Sequence, residues 1–445
     1  MTLWERILQG VTAFSVDTLV SLVAGILGAR LVFYYLPPAH YGQLAFLLSF
    51  YDAGTVVVSL GLEGVFTAEI ARARGNAEQG WAKFLILRYV SLLLTAATLL
   101  LVVFVGIGMW RREKLLWSII GTYLWFAAPN RAASTLFHGA TRYRRLAGQS
   151  ITRSLSRLVL LATLPWWWTG ERLAGVALTY PLMELLTAVA SLGLARLPWD
   201  ELRSASTDEY NLRSLMNLFR QKGVYATLSV PVKRIGDQLP VWFLKAMVGD
   251  AGLGAYAAAK RGYLLILSLF HSIEATLFPL VAEQAKTRSE QLRVALRQAQ
   301  KYSFWLGFIV AIGGNVAAPW IVLWIAGSEY ATVVPLFRLL LWHLLIYAFS
   351  QSQRPIFHAI GQQKWLFFVY LCTTAVDSIL LLAGIRLLGT RGAVWAVLLS
   401  GIFIVSVRYV LIIRLAPHLW VDPRTVTRIE EFDLELWRLL TRRRR

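Results

Sequence analysis

Residues 198–222 read PWDELRSASTDEYNLRSLMNLFRQK, the longest polar connection in an otherwise apolar chain. The blocks on either side are each near the ~20 residues needed to cross ~30 Å of hydrocarbon. Before it they run over 11–36, 41–66, 82–110, 115–138, 147–168 and 173–197. After it they run over 223–248, 251–282, 302–326, 332–358, 364–388 and 392–415. The lengths suit helices, and the period-two alternation of strands is absent. The polar run therefore divides an all-α integral membrane protein of about twelve transmembrane helices into two six-helix lobes. The division predicts an N-terminal lobe at 1–200, a cytoplasmic linker at 201–222, a C-terminal lobe at 223–416 and a cytoplasmic basic amphipathic tail at 417–445.

Two echoes support an internal repeat. Leu136-Phe137-His138-Gly139-Ala140 matches Ile356-Phe357-His358-Ala359-Ile360, and Tyr41-Gly42-Gln43-Leu44-Ala45 resembles Gly254-Ala255-Tyr256-Ala257-Ala258. They set span 4 opposite span 10 and span 2 opposite span 8. Six spans per repeat is an even number, so both halves insert in the same sense, related by a pseudo-twofold axis along the membrane normal.

Composition agrees. Of 445 residues, 57% are hydrophobic and 16% charged, and the mean hydropathy is +0.55. The formal net charge of +20 does not mark a nucleic-acid binder. The basic residues cluster in short connections between spans, mostly on one side, which the positive-inside rule makes cytoplasmic along with both termini. The first apolar block lacks a small-residue cleavage site and reads as a retained span. Cys372 is the only cysteine, so one chain forms no disulfide. The tail places Ile429, Phe432, Leu436, Leu439 and Leu440 at roughly helical spacing and ends in Arg442–Arg445, with a helix start at Asp422-Pro423. It reads as an interfacial helix held by anionic lipid.

Seven cations fall within or at the ends of the spans: Arg30, Arg131, Lys233, Arg234, Lys260, Arg261 and Arg354. A lone Arg or Lys at bilayer depth costs at least ~2.5–3.5 kcal/mol, so such residues face a bundle interior or a watery cavity. A cavity lined by cations implies anionic cargo. Lys233 and Asp237 are four residues apart and share a helix face. Pro231 and Pro240 each remove a backbone donor, which predicts a kink or break in span 7. Asp52 and Glu63 are eleven residues apart, close to three turns, and predict one polar face on span 2, for pairing with cations or for ion coupling. Arg131 and Arg354 occupy matching places in the two halves and read as structural or gating residues. His343, Tyr347, Ser350, Arg354 and His358 make a polar stripe on span 10, with His343 a hydrogen-bonded packing residue. Arg153 and Arg157 read as anchors that snorkel to headgroups. Asp377 is a lone acid whose partner the sequence does not identify. There is no phosphate-binding loop, no dinucleotide fingerprint, no nucleophile–His–acid set and no His pair at zinc-binding spacing. The reading is a transporter with no catalytic residue, no cofactor and no metal, driven by a gradient, a membrane potential or product removal.

The segment from Gly25 to Gly75, GILGARLVFYYLPPAHYGQLAFLLSFYDAGTVVVSLGLEGVFTAEIARARG, resembles the opening of the bacterial polysaccharide flippases. Asp237 to Pro279 is similar to the opening of that family's second half. These are O-antigen type members of the multidrug/oligosaccharidyl-lipid/polysaccharide exporter superfamily. The resemblance implies two lobes around a cavity open alternately to each side of a bacterial inner membrane. It also implies an undecaprenyl-(di)phosphate-linked oligosaccharide as cargo, moved to the outer leaflet for surface polysaccharide such as lipopolysaccharide O-antigen. Carried onto this chain, Arg30, Lys233, Arg234, Lys260 and Arg261 would hold the phosphate, with Asp52, Glu63, Asp237, Arg131 and Arg354 gating or coupling. The lipid tail would ride between spans, and a polysaccharide polymerase and glycosyltransferases would be partners. Lipid II flippases resembling this fold have two further helices, which favours the oligosaccharide branch. The alternatives are a multidrug and toxin extrusion type exporter, whose cavity should be acidic, and a membrane-bound glycosyltransferase or polymerase, which short outer connections disfavour.

Overall fold

The structure, a computed structural model, describes residues 3–59, 61–73, 79–111, 113–139, 142–194, 224–284, 290–360 and 362–427. The linker and residues 428–445 lie outside them, as do the side chains of Glu274, Arg354 and His358. The first half contains α1 (Leu3–Tyr35), α2 (Pro38–Ser59), α3 (Glu63–Ala73), α4 (Gln79–Arg111), α5 (Lys114–Gly139), α6 (Tyr143–Ala162), the single turn α7 (Leu164–Trp167) and α8 (Arg172–Leu194). The second contains α9 (Val224–Met247), α10 (Asp250–Gln284), α11 (Glu290–Ala326), α12 (Val333–Ala359), α13 (Gln363–Leu388) and α14 (Thr390–Leu415). Taking α2 and α3 as one broken element, a helix stands at each of the twelve expected spans among the described residues.

Among the described residues, eight helices are long and apolar enough to cross a membrane by length and composition alone. The long helices outside that set are α5, α6, α9 and α10. They carry Arg131, Arg153 and Arg157, Lys233 to Asp237, and Lys260 with Arg261. These charged residues lower the hydropathy of the four helices.

The halves repeat one packing scheme. In the first, α1 packs on α6, α4 on α5, and α8 on α5 and α6. In the second, α9 packs on α13, α11 on α12, and α14 on α12 and α13. The lobes meet mainly through α2 against α10 and α9. Where α2 and α10 begin, the backbones touch: a Cβ on Gly254 would collide with the Pro38 carbonyl, and one on Gly42 with that of Asp250. The two motifs that echo one another in sequence thus form the lobe contact. Tyr330 OH donates to the Leu36 carbonyl at 2.6 Å and Gln43 Nε2 to Asp250 Oδ2 at 3.4 Å, while Lys245 pairs with Asp250. Rings of Phe33, Tyr41 and Tyr330 fill the same end.

One expectation is corrected. The break expected in span 7 lies instead in span 2, and α9 runs through Pro231 and Pro240 without interruption. Pro231 lacks an N–H, which leaves the Thr227 carbonyl without its helical donor. Gly61, in the left-handed region at φ 66°, packs against that carbonyl and Pro231 Cδ. A side chain would be both strained and obstructed there. The break also separates Asp52 from Glu63, so they do not share one face. Residues 417–427 form two 3₁₀ turns, Pro417–Leu419 and Pro423–Thr427, and the expected tail helix carrying Ile429 to Leu440 lies outside the described residues. They dock on the second lobe, burying Leu419, Val421 and Val426. Trp305 Nε1 donates to the Val426 carbonyl at 2.9 Å.

Candidate functional site

The proline-bearing α9 and the start of α10 bring one charge cluster to the lobe interface. Lys233 Nζ lies 2.7 Å from Asp237 Oδ2 and 3.0 Å from Oδ1, the pairing its spacing predicts. Lys260 Nζ donates to the Asp237 carbonyl at 3.2 Å. From the other lobe Asp52 accepts from Gln238 Nε2 at 3.4 Å and lies in the field of Lys260 and Arg234. One turn away, Trp242 Nε1 donates to Ser49 Oγ at 2.8 Å, zipping α2 to α9. Asp377 adjoins Ser400 and lies near Asp237 and Lys233. Arg234 is exposed and makes no hydrogen bond or ion pair among the described residues.

Arg261 follows Lys260 but faces elsewhere. It lies in the field of Arg157, Tyr41, Tyr180 and Tyr123 and lines an apolar pocket with Phe33 and Phe337. It too makes no hydrogen bond or ion pair among the described residues. Arg153 and Arg157 do not snorkel. Arg153 pairs with Glu184, which is fully buried and also accepts from Asn130 Nδ2. Arg157 Nη2 donates to Tyr180 OH at 2.6 Å, with the guanidinium 4.2 Å over that ring. The rotation of α6 sets this: its polar side meets α8, where Glu184 and Tyr180 supply partners that headgroups would otherwise provide.

The remaining cations take separate places. Arg131 Nη1 is 2.6 Å from Glu63 Oε1, so the new helix that starts after the Gly61 break opens on an ion pair with α5. Arg30 is exposed and lies 4.9 Å over the Trp324 ring of α11, away from the α9–α10 cluster. His343 Nδ1 and Tyr263 OH are 2.6 Å apart, the hydrogen-bonded packing arrangement expected of it. Sequence reasoning missed Glu184 and Arg408. Arg408 is 2% exposed, lies 5.3 Å over Tyr370 and donates to Ser350 Oγ at 3.0 Å. Each is a single charge in an apolar span, the signal that flagged the other seven.

The sequence profile of the family described as "Polysaccharide biosynthesis protein" matches residues 7–285. The chain belongs to this family. A second profile, "Lipid II flippase MurJ", matches residues 173–428, so the two overlap across the lobe boundary and together span nearly the whole chain. Among curated proteins nothing matches. Solved structures share the fold of this polysaccharide biosynthesis family member at low identity. An inward-facing multidrug resistance MATE family transporter of the MOP superfamily is 16% identical, with a TM-score of 0.73 over 90% of this chain and 95% of that one. An outward-facing MATE family transporter is 15% identical, with a TM-score of 0.65 over 90% and 96%. A MOP superfamily transporter from Pyrococcus furiosus, described as having a binding pocket of reverse polarity, is 16% identical, with a TM-score of 0.63 over 93% and 96%. The chain is a multi-pass membrane protein with the two-lobed transporter fold, of a polysaccharide flippase type.

Proposed function

We propose that this protein flips an undecaprenyl-(di)phosphate-linked oligosaccharide from the cytoplasmic to the outer leaflet of a bacterial inner membrane by alternating access, supplying surface polysaccharide synthesis. The observation that carries the reading is the charge left over between the lobes. Lys233, Arg131 and Arg153 have carboxylate partners, whereas Arg234 and Arg261 have none within bonding distance. Unpaired guanidinium groups at membrane depth are costly unless an anion visits them, and their fork geometry suits phosphoryl oxygens. Lys260 adds a point charge, and Asp52, Asp237 and the Arg131–Glu63 pair serve coupling or gating. An apolar pocket beside Arg261, walled by Ala29, Phe33, Leu265, Ile321 and Phe337, suits the first isoprene units of the carrier. Both termini are cytoplasmic in this reading. The glycosyltransferases that build the glycan and the polymerase that extends it act on either side of this step.

The test is genetic complementation scored by surface polysaccharide. Arg234→Ala and Arg261→Ala should each cut export about tenfold or more, one lost charge-assisted contact, with protein level unchanged and lipid-linked precursor accumulating. Normal export by both variants overturns the reading. The fold relationship to multidrug transporters favours a second reading, an exporter of organic cations, for which the unpaired arginines are a liability. Substrate-stimulated drug efflux that survives Arg261→Ala would favour it.

A further inference from the structure

The connection between α11 and α12 places one phenol against the end of a helix in the other lobe. Gly327 closes α11 in the left-handed region at φ 84°, where glycine is favoured, and its N–H donates to the Leu323 carbonyl at 3.0 Å. One 3₁₀ turn, Ser328–Tyr330, follows before α12 begins. Ser328 and Glu329 are exposed, whereas Tyr330 is fully buried. Its ring packs on Phe33 at 4.9 Å and faces Tyr41 at 6.5 Å. Its hydroxyl donates to the Leu36 carbonyl at 2.6 Å. That carbonyl stands just past the end of α1, where a helix leaves acceptors without intrahelical partners. Pro37 and Pro38 come next and carry no N–H, and no backbone donor reaches the Leu36 carbonyl among the described residues. The phenol from the opposite lobe supplies the donor that the two prolines withhold. Three other hydrogen bonds join the lobes among the described residues. They run from Trp242 to Ser49 at 2.8 Å, and from Gln238 to Asp52 and Gln43 to Asp250 at 3.4 Å. The Tyr330 bond is the shortest of the four, and the other three are part-buried.

We infer that Tyr330 is a latch at the outer end of the lobes: its hydroxyl, seated on the Leu36 carbonyl, holds that end closed, and opening exchanges the phenol for water. One neutral hydrogen bond is worth a net factor of a few in an equilibrium, because the separated groups bond to water instead. A latch of that strength favours the closed arrangement and still releases within a transport cycle. Phe33 and Tyr41 keep water from the bond, which raises its weight in the balance. Deleting the hydroxyl alone acts more strongly than separating the pair. While the lobes stay closed, the carbonyl is then buried with no donor, and only the open arrangement relieves it. The inference goes beyond the flippase reading and does not depend on the cargo. It rests on the two-lobed transporter fold. The outer placement follows from the orientation with both termini cytoplasmic, which puts the end of α1 on the far side of the membrane.

The experiment uses the full chain in spheroplasts of a bacterial host, with Cys372→Ser removing the native thiol and Val333→Cys as the reporter. Val333 is buried, follows Tyr330 closely in the chain, and lines the apolar pocket with Phe33 and Phe337. A membrane-impermeant maleimide added outside should label it slowly while the latch is closed. Tyr330→Phe keeps the ring on Phe33 and should speed labelling at least about fivefold, the effect of one stranded buried acceptor. Tyr41→Phe removes a hydroxyl from the same ring cluster without touching the Leu36 bond and should leave the rate unchanged. A second reporter, Leu296→Cys, is fully buried toward the other end of α11 and should stay unlabelled in Tyr330→Phe. If Tyr330→Phe labels at the wild-type rate, or Tyr41→Phe speeds labelling equally, the latch is overturned. Labelling of Leu296→Cys alongside Val333→Cys would mean that the hydroxyl holds the fold rather than the gate, and overturns it as well. None of these outcomes bears on Arg234 and Arg261, whose export phenotypes test the flippase reading separately.

Discussion

The two lobes share a packing scheme and differ in what they do with charge. The N-terminal lobe settles most of its buried charge internally: Arg131 on Glu63, and Arg153 on Glu184. The C-terminal lobe pairs Lys233 with Asp237 on its own helix and Lys245 with Asp250, and leaves Arg234 and Arg261 without a carboxylate within bonding distance among the described residues. Even the closing helices of the lobes are opposite: α8 buries an acid, Glu184, and α14 buries a cation, Arg408. Since α1–α6, α4–α5 and α5–α8 pack as α9–α13, α11–α12 and α12–α14 do, apolar packing sets the architecture and charge is free to diverge on it. In the proposed reading, one lobe pairs most of its charge internally and the other awaits a counter-ion.

Glu184→Ala tests the first half of that contrast and should have the largest effect. It removes the carboxylate from a fully buried position and strands both Arg153 and Asn130. Breaking a buried pair from one side costs ~3–5 kcal/mol, and the partial exposure of Arg153 puts this case at the lower end. Thermal unfolding in detergent should show the loss. The double variant Arg153→Met/Glu184→Met should recover most of it, since replacing a whole buried pair with apolar groups is often neutral. Arg261→Ala should do the reverse: wild-type melting, with export down about tenfold or more. If Glu184→Ala melts normally, or Arg261→Ala unfolds, the division into a paired and a waiting lobe is wrong.

Gly254→Val probes the contact the lobes share. A side chain there meets the Pro38 carbonyl across the interface. Overpacking a tight contact costs about 1–3 kcal/mol, here charged to the clamped arrangement rather than to either lobe. A cysteine pair introduced at the ends of α2 and α10 should therefore crosslink more slowly in Gly254→Val, while the melting temperature of the lobes holds. Equal crosslinking would mean that the backbone approach is not what joins them.

The lobes were legible in the sequence because the bilayer fixes the length and hydropathy of a crossing, and the echoing motifs at Tyr41–Ala45 and Gly254–Ala258 belong to the tightest interlobe contact. The break at Gly61 was not legible in its own span. Gly61 packs against the Thr227 carbonyl and Pro231 of a helix in the other lobe, a contact that its own span does not record. The Lys233–Asp237 pair was legible because four residues on one helix fix a geometry. Arg157 was not, since the direction of a long side chain depends on helix rotation, and that is decided by Tyr180 and Glu184 on α8. Local spacing carried what lies within one helix, and contacts between helices carried the rest.

Arg30→Ala should have the smallest effect and sharpens the comparison most cheaply. Arg30 is as cationic as Arg261 and also sits in an apolar helix, and by composition alone the two are equivalent. The structure separates them. Arg30 is exposed and lies over Trp324, itself half exposed, whereas Arg261 is partly buried and lines an apolar pocket with Phe33 and Phe337. An exposed cation–π contact is worth about 0.5–1 kcal/mol, so its loss should lower export no more than about fivefold and leave diphosphate binding intact. Export and farnesyl diphosphate titrations of Arg30→Ala and Arg261→Ala, run side by side, read this directly. Were the two variants to fall equally, charge at membrane depth would matter wherever it sits, and the distinction between an exposed, stacked cation and an unpaired one would carry no functional weight.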